Sequence, residues 1–196
     1  MQQNPAQFGP IPGVPLFRHF KDRRELYLAG VHGVPEGGIH GRAGTGAYSV
    51  VLSGRYTDDK DEGNVIWYTG AGGHSRTSEA QLGDQEWTRV NEALRVSEKT
   101  KQPVRVIRSS GVFSKFAPTK KGYRYDGLYQ VKGAQMVIGK SGYQVCQFLL
   151  EVRPTLYRSL MVSASSDSLK RFDQRLDGQE PIPIYGIRIH SWLLKR

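Results

Sequence analysis

The sequence predicts a single β-rich α+β domain, and three observations predict it. Its 196 residues are enough for one ordinary domain with its own core. The 23 glycines and 10 prolines mark many turns, which suit short strands better than a helical bundle. Short β-prone runs surround one longer amphipathic pattern, so a helix is expected to pack on a sheet. With 38% hydrophobic and 23% charged residues, the chain reads as a folded globular protein and not a disordered tail.

Taken in order, residues 1–12 read as a flexible arm, 13–154 as the folded domain, and 155–196 as an extension that packs on the domain or engages chromatin or protein partners. The start, MQQNPAQFGPIPGVP, lacks the charged and apolar blocks of a secretory signal. No apolar run approaches the roughly 20 residues of a membrane helix, so no span of a membrane is expected. Asp22 is placed to cap a short helix ending near Gly30, with Glu25 as its capping-box partner. Residues 33–46, GVPEGGIHGRAGTG, read as one long loop leading into a strand at 47–53. His32 and His40 lack a third donor at metal-binding spacing and read as hydrogen-bonding histidines.

A strand is expected at 65–69. Asp84 is then placed to cap the helix DQEWTRVNEALRVSEK, in which Trp87, Val90 and Leu94 share one face. Strands follow at 103–108 and 124–131, the second with a bulge at its glycine. Residues 134–142 read as a loop carrying Lys140, and 143–154 as the strongest strand. Cys146 shares a strand face with Phe148, Leu150 and Val152 and reads as core. As the only cysteine, it excludes an internal disulfide and a multi-cysteine zinc site.

Lys plus Arg total 28 against 18 Asp plus Glu, a formal net charge of +10. Such a balance speaks to partners, with nucleic acid first and an anionic membrane surface second. The segment 99–124 holds eight basic residues (Lys99, Lys101, Arg105, Arg108, Lys115, Lys120, Lys121, Arg124) and no acidic one. One-sided charge of that kind suits a surface that tracks phosphates.

Within this basic chain, residues 56–73, YTDDKDEGNVIWYTGAGG, stand out. Tyr56 and Tyr68 flank Asp58, Asp59, Asp61 and Glu62. The acidic run does not match the spacing of a calcium-binding loop, and the chain has no phosphate-binding loop, G-x-S-x-G or H-E-x-x-H. No enzymatic activity, cofactor or metal is therefore expected. A flipped nucleobase needs an aromatic on each face, a partner for its Watson–Crick edge and a cationic rim. The tyrosines can supply the faces, and one carboxylate can accept from the exocyclic amine of cytosine.

These residues stand in a longer pattern. AGVHGVPEGGIHGR, GAYSVVLSGRYTDD, YTGAGG, the Asp84-Gln85 pair, KQPVRVIR and RYDGLYQV follow in order. Over 13–154 the chain resembles the SRA domain, also called the YDG domain. The resemblance implies an SRA/PUA-like twisted β-barrel flanked by helices. It also implies a nuclear, chromatin-bound reader that recognises 5-methylcytosine in DNA by base flipping. By motif, Tyr56 and Tyr68 take the two faces of the base and Asp59 its N4 amine. Thr69 and the backbone at Ser53 and Gly54 take the N3/O2 edge and line the methyl pocket. Asp58, Asp61 and Glu62 have no such place and read as solvated turn residues. Outside the pocket, the residues expected to touch DNA are Arg42, Arg55, Arg76, His74, Glu36, Gly37, Lys115, Lys120 and Lys121.

The chain departs from the better-known pattern in three places. Gly54-Arg55 replaces a Gly-Gly pair, which places Arg55 to reach a phosphate. The loop that reads the opposite strand is shortened to His74-Ser75-Arg76. The minor-groove loop carries Glu36-Gly37 where an apolar residue is usual. Plant histone-methyltransferase members, tolerant of strand and context, are the closer model on these grounds. Within these residues there is no RING, SET, PHD or ubiquitin-like segment, so a stand-alone reader is expected. Two other readings remain open at this level: the targeting module of a nuclease system, and a basic DNA-binding β domain that flips no base.

Overall fold

The computed structural model describes residues 3–74 and 80–152. In chain order these form β1 (His19–Phe20), α1 (Arg23–Leu28), β2 (Ile39–Arg42), β3 (Gly46–Leu52), β4 (Lys60–Asp61), β5 (Val65–Thr69), α2 (Arg89–Thr100), β6 (Val104–Ser109), β7 (Tyr123–Ile138) and β8 (Gln144–Val152). One eight-stranded sheet runs β2-β3-β6-β7-β8-β5-β4, with β1 added to β7. β3 and β6 run parallel, and the other pairs are antiparallel. The path ends at β2 and β4, so the sheet twists without closing into a barrel. The expected α+β class with flanking helices holds.

β3, GAYSVVL, is buried along its whole length because both faces of the sheet are covered. Alternate side chains of a strand point to opposite faces. Val50 and Leu52 therefore join Leu94 of α2, Ile66, Tyr68 and Phe148 in one core. Val51 joins Ile11, Phe20, Leu26, Ile107 and Tyr125 in a second core under α1 and the N-terminal residues. Cys146, Phe148 and Leu150 sit in the first core as their alternation requires, and burial pushes the Cys146 thiol up to about 12.

Helix α1 forms as its capping signal predicts. Asp22 accepts from the Glu25 N–H at 2.8 Å, and the Glu25 carboxylate accepts from the Lys21 N–H at 2.7 Å. The second cap differs. α2 starts after Thr88, whose side chain makes no capping bond, while Asp84 accepts from the Gln144 N–H at 2.7 Å and ties the approach segment to β8.

Two segments expected to be loops are strands. Residues 39–42 pair with β3 despite their glycine, with a register shift between His40 and Gly41. β7 continues through 134–138 because each residue there finds a partner on β8, from Ala134 opposite Phe148 to Ile138 opposite Gln144. The bulge expected at Gly127 is present. Val106 pairs with Gly127 and Ile107 with Tyr125, which leaves Asp126 as the extra residue.

The arm expected over residues 1–12 is held from Pro5 onward. Arg105, fully buried on β6, donates to the carbonyls of Val31 (3.0 Å), Gly9 (2.9 Å), Gln7 (2.5 Å) and Pro5 (2.6 Å). Burial lowers its pKa to about 10, and the four carbonyls engage four of its five N–H donors. The extension at 155–196 lies outside the described residues.

Arg105→Leu would strip the donor from four carbonyls. We expect it to lower stability by about 3 kcal/mol in urea unfolding and to speed amide exchange over residues 5–9. Unchanged exchange in that segment would show that Arg105 does not hold it.

Candidate nucleic-acid interface

The chain leaves β3 at Ser53, turns through 54–59, and returns on β4 and β5 at the far end of the sheet. This excursion brings together four of the residues expected in the base pocket. The Asp59 N–H closes a turn on the Tyr56 carbonyl at 3.2 Å, and Asp59 Oδ1 accepts from the Thr69 N–H at 2.7 Å. Burial raises the Asp59 carboxyl to about 7, against the opposing effect of Thr69 and with help from the charges of Asp58 and Asp61. The Thr69 hydroxyl lies close enough to act on that titration. It falls outside hydrogen-bond geometry, so Oγ1 stays buried and unpartnered.

Tyr68 is a buried wall whose hydroxyl stands 3.5 Å from the Val51 carbonyl. Its phenol is raised well above the ordinary value by burial, and then by Asp59 and Tyr56 close by. Tyr56 is half-buried, and its hydroxyl accepts from the Gly72 N–H at 3.3 Å. His74 packs edge-on against Tyr56 at 4.6 Å, with both ring nitrogens buried and unpartnered.

Asp61 overturns the solvated-turn reading. Its carboxylate is 3% exposed and takes two bonds from the fully buried Arg108, at 2.7 and 2.8 Å. Ser114 donates to it at 2.7 Å. Arg108 also reaches Asp126 at 2.7 Å and the Gly63 carbonyl at 2.7 Å. Burial opposes charge on both groups. It is outweighed at Arg108 by Tyr129, Asp126 and Asp61, and at Asp61 by Arg108 and Ser114. Asp61 thus stays below, and Arg108 above, its ordinary pKa. Asp58 is also engaged, accepting from the Lys140 N–H at 2.8 Å. Glu62 fits the solvated reading better, paired with Lys60 at the surface.

The glycine-rich end of the stretch is bolted to α2. Asn91 accepts from the Ala71 N–H and donates to the Ala71 carbonyl, both at 2.8 Å. Gln85 donates to the Gly70 carbonyl at 2.8 Å and accepts from the Cys146 N–H at 3.0 Å. A Cβ on Gly70 would come within 2.6 Å of Asn91 Oδ1, so the close approach requires glycine. Sequence reasoning assigned Gln85 and Asn91 no role, yet Asn91 carried a signal. It stands four residues after Trp87 and three before Leu94, on the apolar face, where a polar residue must find buried partners.

The other expected DNA contacts divide. Gly37 is exposed and tied down through its carbonyl, which accepts from Arg23 at 3.0 Å and from His32 Nε2 at 2.9 Å. That contact puts the proton of His32 on Nε2, so Nδ1 accepts from Ser49 at 2.8 Å. Burial holds His32 neutral, with a pKa near 3. The next residue, Gly38, abuts the Tyr68 hydroxyl, so the turn that presents Glu36 lies beside Tyr68. Gly54 has φ 81° and packs on the 111–112 turn, where a Cβ would lie 2.5 Å from the Gly111 carbonyl. Arg55, Lys115, Lys120 and Lys121 are exposed. Arg42 is exposed at the end of β2, where it pairs with Gly46 of β3. Arg76 lies outside the described residues.

The basic segment 99–124 is less of a surface than its sequence implies. Arg105 and Arg108 are fully buried, and Arg124 pairs with Asp126 at 2.5 Å. A depression of about 480 Å3 along α1 is lined by Lys21, Asp22, Arg24, Glu25 and Leu28, none of them an expected site residue.

A mixed, twisted α+β sheet whose excursion brings Tyr56 and Asp59 to Tyr68 and Thr69 is the class of domain these features define. The chain belongs to the SAD/SRA domain family, whose model matches residues 7–155. It is 42% identical over 163 residues to the E3 ubiquitin-protein ligase UHRF1 of Rattus norvegicus, covering 73% of this chain and 21% of the ligase. A UHRF1-like protein of Cryptococcus neoformans is 42% identical over 158 residues, 74% of this chain and 46% of that protein. The chain thus spans about a fifth of the vertebrate relatives it matches. Among solved structures, the modification-dependent TagI restriction endonuclease superposes with a TM-score of 0.72 at 38% identity, over 78% of this chain and 53% of that one. The SUVH5 SRA domain bound to fully hydroxymethylated CG DNA gives 0.65 at 37% identity, over 76% and 95%.

Two outcomes follow from the buried carboxylates. Asp61→Asn should lower stability by about 3 kcal/mol in denaturant unfolding, while Glu62→Gln should change it by less than about 1 kcal/mol. Equal effects would show that the Arg108 pair is not special. Asp59 keeps its proton to about pH 7 in the folded state, whereas the unfolded chain releases it near 4. Between those values the native state binds more protons, so stability falls as pH rises, by up to about 1.4 kcal/mol per unit. Asp59→Asn removes this loss. Its melting temperature should exceed the parent's by more at pH 8 than at pH 5, and a constant gap would rule out the raised pKa.

Proposed function

We propose that this domain binds double-stranded DNA containing 5-methylcytosine, hemi- or fully methylated, and flips the modified base into the recess of Tyr56, Asp59 and Tyr68. The observation that carries this reading is Asp59, a half-buried carboxyl that accepts from the Thr69 N–H, with an unpartnered hydroxyl close by. Cytosine offers an N4 amine that such an acceptor can take, which thymine lacks. Tyr68 is the fixed inner wall and Tyr56 the outer one. Thr69 Oγ1 and the backbone at Ser53 and Gly54 meet the N3/O2 edge and the methyl group. Arg55, Lys115, Lys120 and Lys121 hold phosphates, with His74, the Glu36-Gly37 turn and Arg76 bordering the duplex. Arg42 is a peripheral phosphate contact at most.

The role is that of a reader without catalysis of its own, acting on chromatin in the nucleus. Partners beyond DNA engage through 155–196. SUVH5's complex with hydroxymethylated DNA supports including 5-hydroxymethylcytosine among the bases to test. A second reading has a specific observation behind it, the likeness to a modification-dependent endonuclease. On that reading the domain targets a nuclease, and metal-dependent cleavage of methylated plasmid separates the two.

Paired labelled duplexes, with and without one 5-methylcytosine, titrated at fixed salt, test the proposal. We expect tighter binding of the modified duplex and a fluorescence rise from 2-aminopurine beside the flipped base. Tyr56→Ala and Asp59→Ala should abolish the preference and leave weak, salt-sensitive binding. Equal affinities of the parent protein for the two duplexes would sink the reading.

A further inference from the structure

We propose that Phe113 is a DNA-contacting residue whose ring stacks on a nucleobase of the duplex whose modified cytosine is flipped. The inference rests on the base-flipping reading above and adds a contact to it. Phe113 is fully exposed, while its neighbours are fixed on both sides. Val112 is buried in the main core. Ser114 donates to Asp61 at 2.7 Å, and its N–H closes on the Val112 carbonyl at 3.0 Å. Arg124 holds the Phe116 carbonyl at 2.5 Å. The phenyl ring is therefore held out in water by a built turn. A water-exposed ring adds nothing to folding through burial, and a pre-set one loses little freedom on binding.

The place and surroundings of the ring say what it meets. Gly111 and Val112 pack directly on Gly54, next to Arg55 and Tyr56 at the recess. The stretch from 109 to 125 contains no acidic residue and presents Lys115, Lys120 and Lys121 to solvent. A fully exposed aromatic among exposed cations is the arrangement that stacks a base while cations hold the phosphates. A protein hot spot would instead bury its aromatic in a desolvated apolar patch. Extruding a base also leaves a gap in the stack, which apolar side chains fill in other flipped or kinked duplexes.

The test compares parent, Phe113→Ala and Phe113→Trp in the full chain, on the modified and unmodified duplexes, across a salt series. Phe113→Ala should keep the parent's unfolding midpoint and weaken binding of the modified duplex about tenfold. The slope of log affinity against log salt should not change, because no charge is removed. Phe113→Trp should bind within about twofold of the parent. If the parent discriminates the duplexes and Phe113→Ala binds both as the parent does, this inference fails and the reader function stands. If the parent does not discriminate, the reader function fails, and the inference with it.

Discussion

Arg108 is the interaction on which the rest of the site depends. A fully buried guanidinium needs acceptors for its donors, and carboxylates beside it also match its charge. Here Asp61 and Asp126 match it, and Gly63 and Tyr129 complete it. Asp61 lies two residues from Asp59. Asp126 is the extra residue of the β7 bulge. One side chain thus clamps the excursion that carries Asp59 onto the middle of the sheet. Through Ser114 the Asp61 carboxylate also holds the turn that presents Phe113.

The other anchors follow the same logic. The recess is built on irregular backbone, which has no sheet ladder or helix to satisfy its polar groups. Side chains do so instead. Asn91 and Gln85 hold 70–72, His32 and Arg23 hold Gly37, and Arg105 holds residues 5–9. Each is a polar group in a place where burial makes an unmade bond expensive. Backbone fixed in this way is pre-organised, so a ligand bound there would not have to order it. The cost is cationic surface. Arg105, Arg108 and Arg124 spend their charge inside the fold, leaving Lys99, Lys101, Lys115, Lys120 and Lys121 of the basic segment toward solvent.

Much of this was legible beforehand. The strands at 65–69 and 104–109 and the α1 cap were readable because alternation and capping are local properties. The pairing of Tyr56 and Asp59 with Tyr68 and Thr69 was legible through the family pattern and not through periodicity. The misreadings share a cause. Residues 134–138 and 39–42 look like loops because glycines interrupt them, and β8 and β3 make them strands by offering partners. Asp84 looks like a cap, yet its partner is Gln144, sixty residues away. Asp61 looks like a turn carboxylate until Arg108 is folded against it.

By itself, then, the sequence determined the class of fold, the family pattern and four candidate residues that the fold brings together. Those follow from local chemistry and from motifs kept in order along the chain. Only the tertiary structure decided which charges face water and which are buried. It made Asp61 a clamp, turned three arginines of a basic run into structural groups, and left the Phe113 ring outside. The physical reason is that the state of a charged or aromatic side chain depends on what packs against it. For Asp61, Arg105 and Phe113 that is settled by segments distant in the chain.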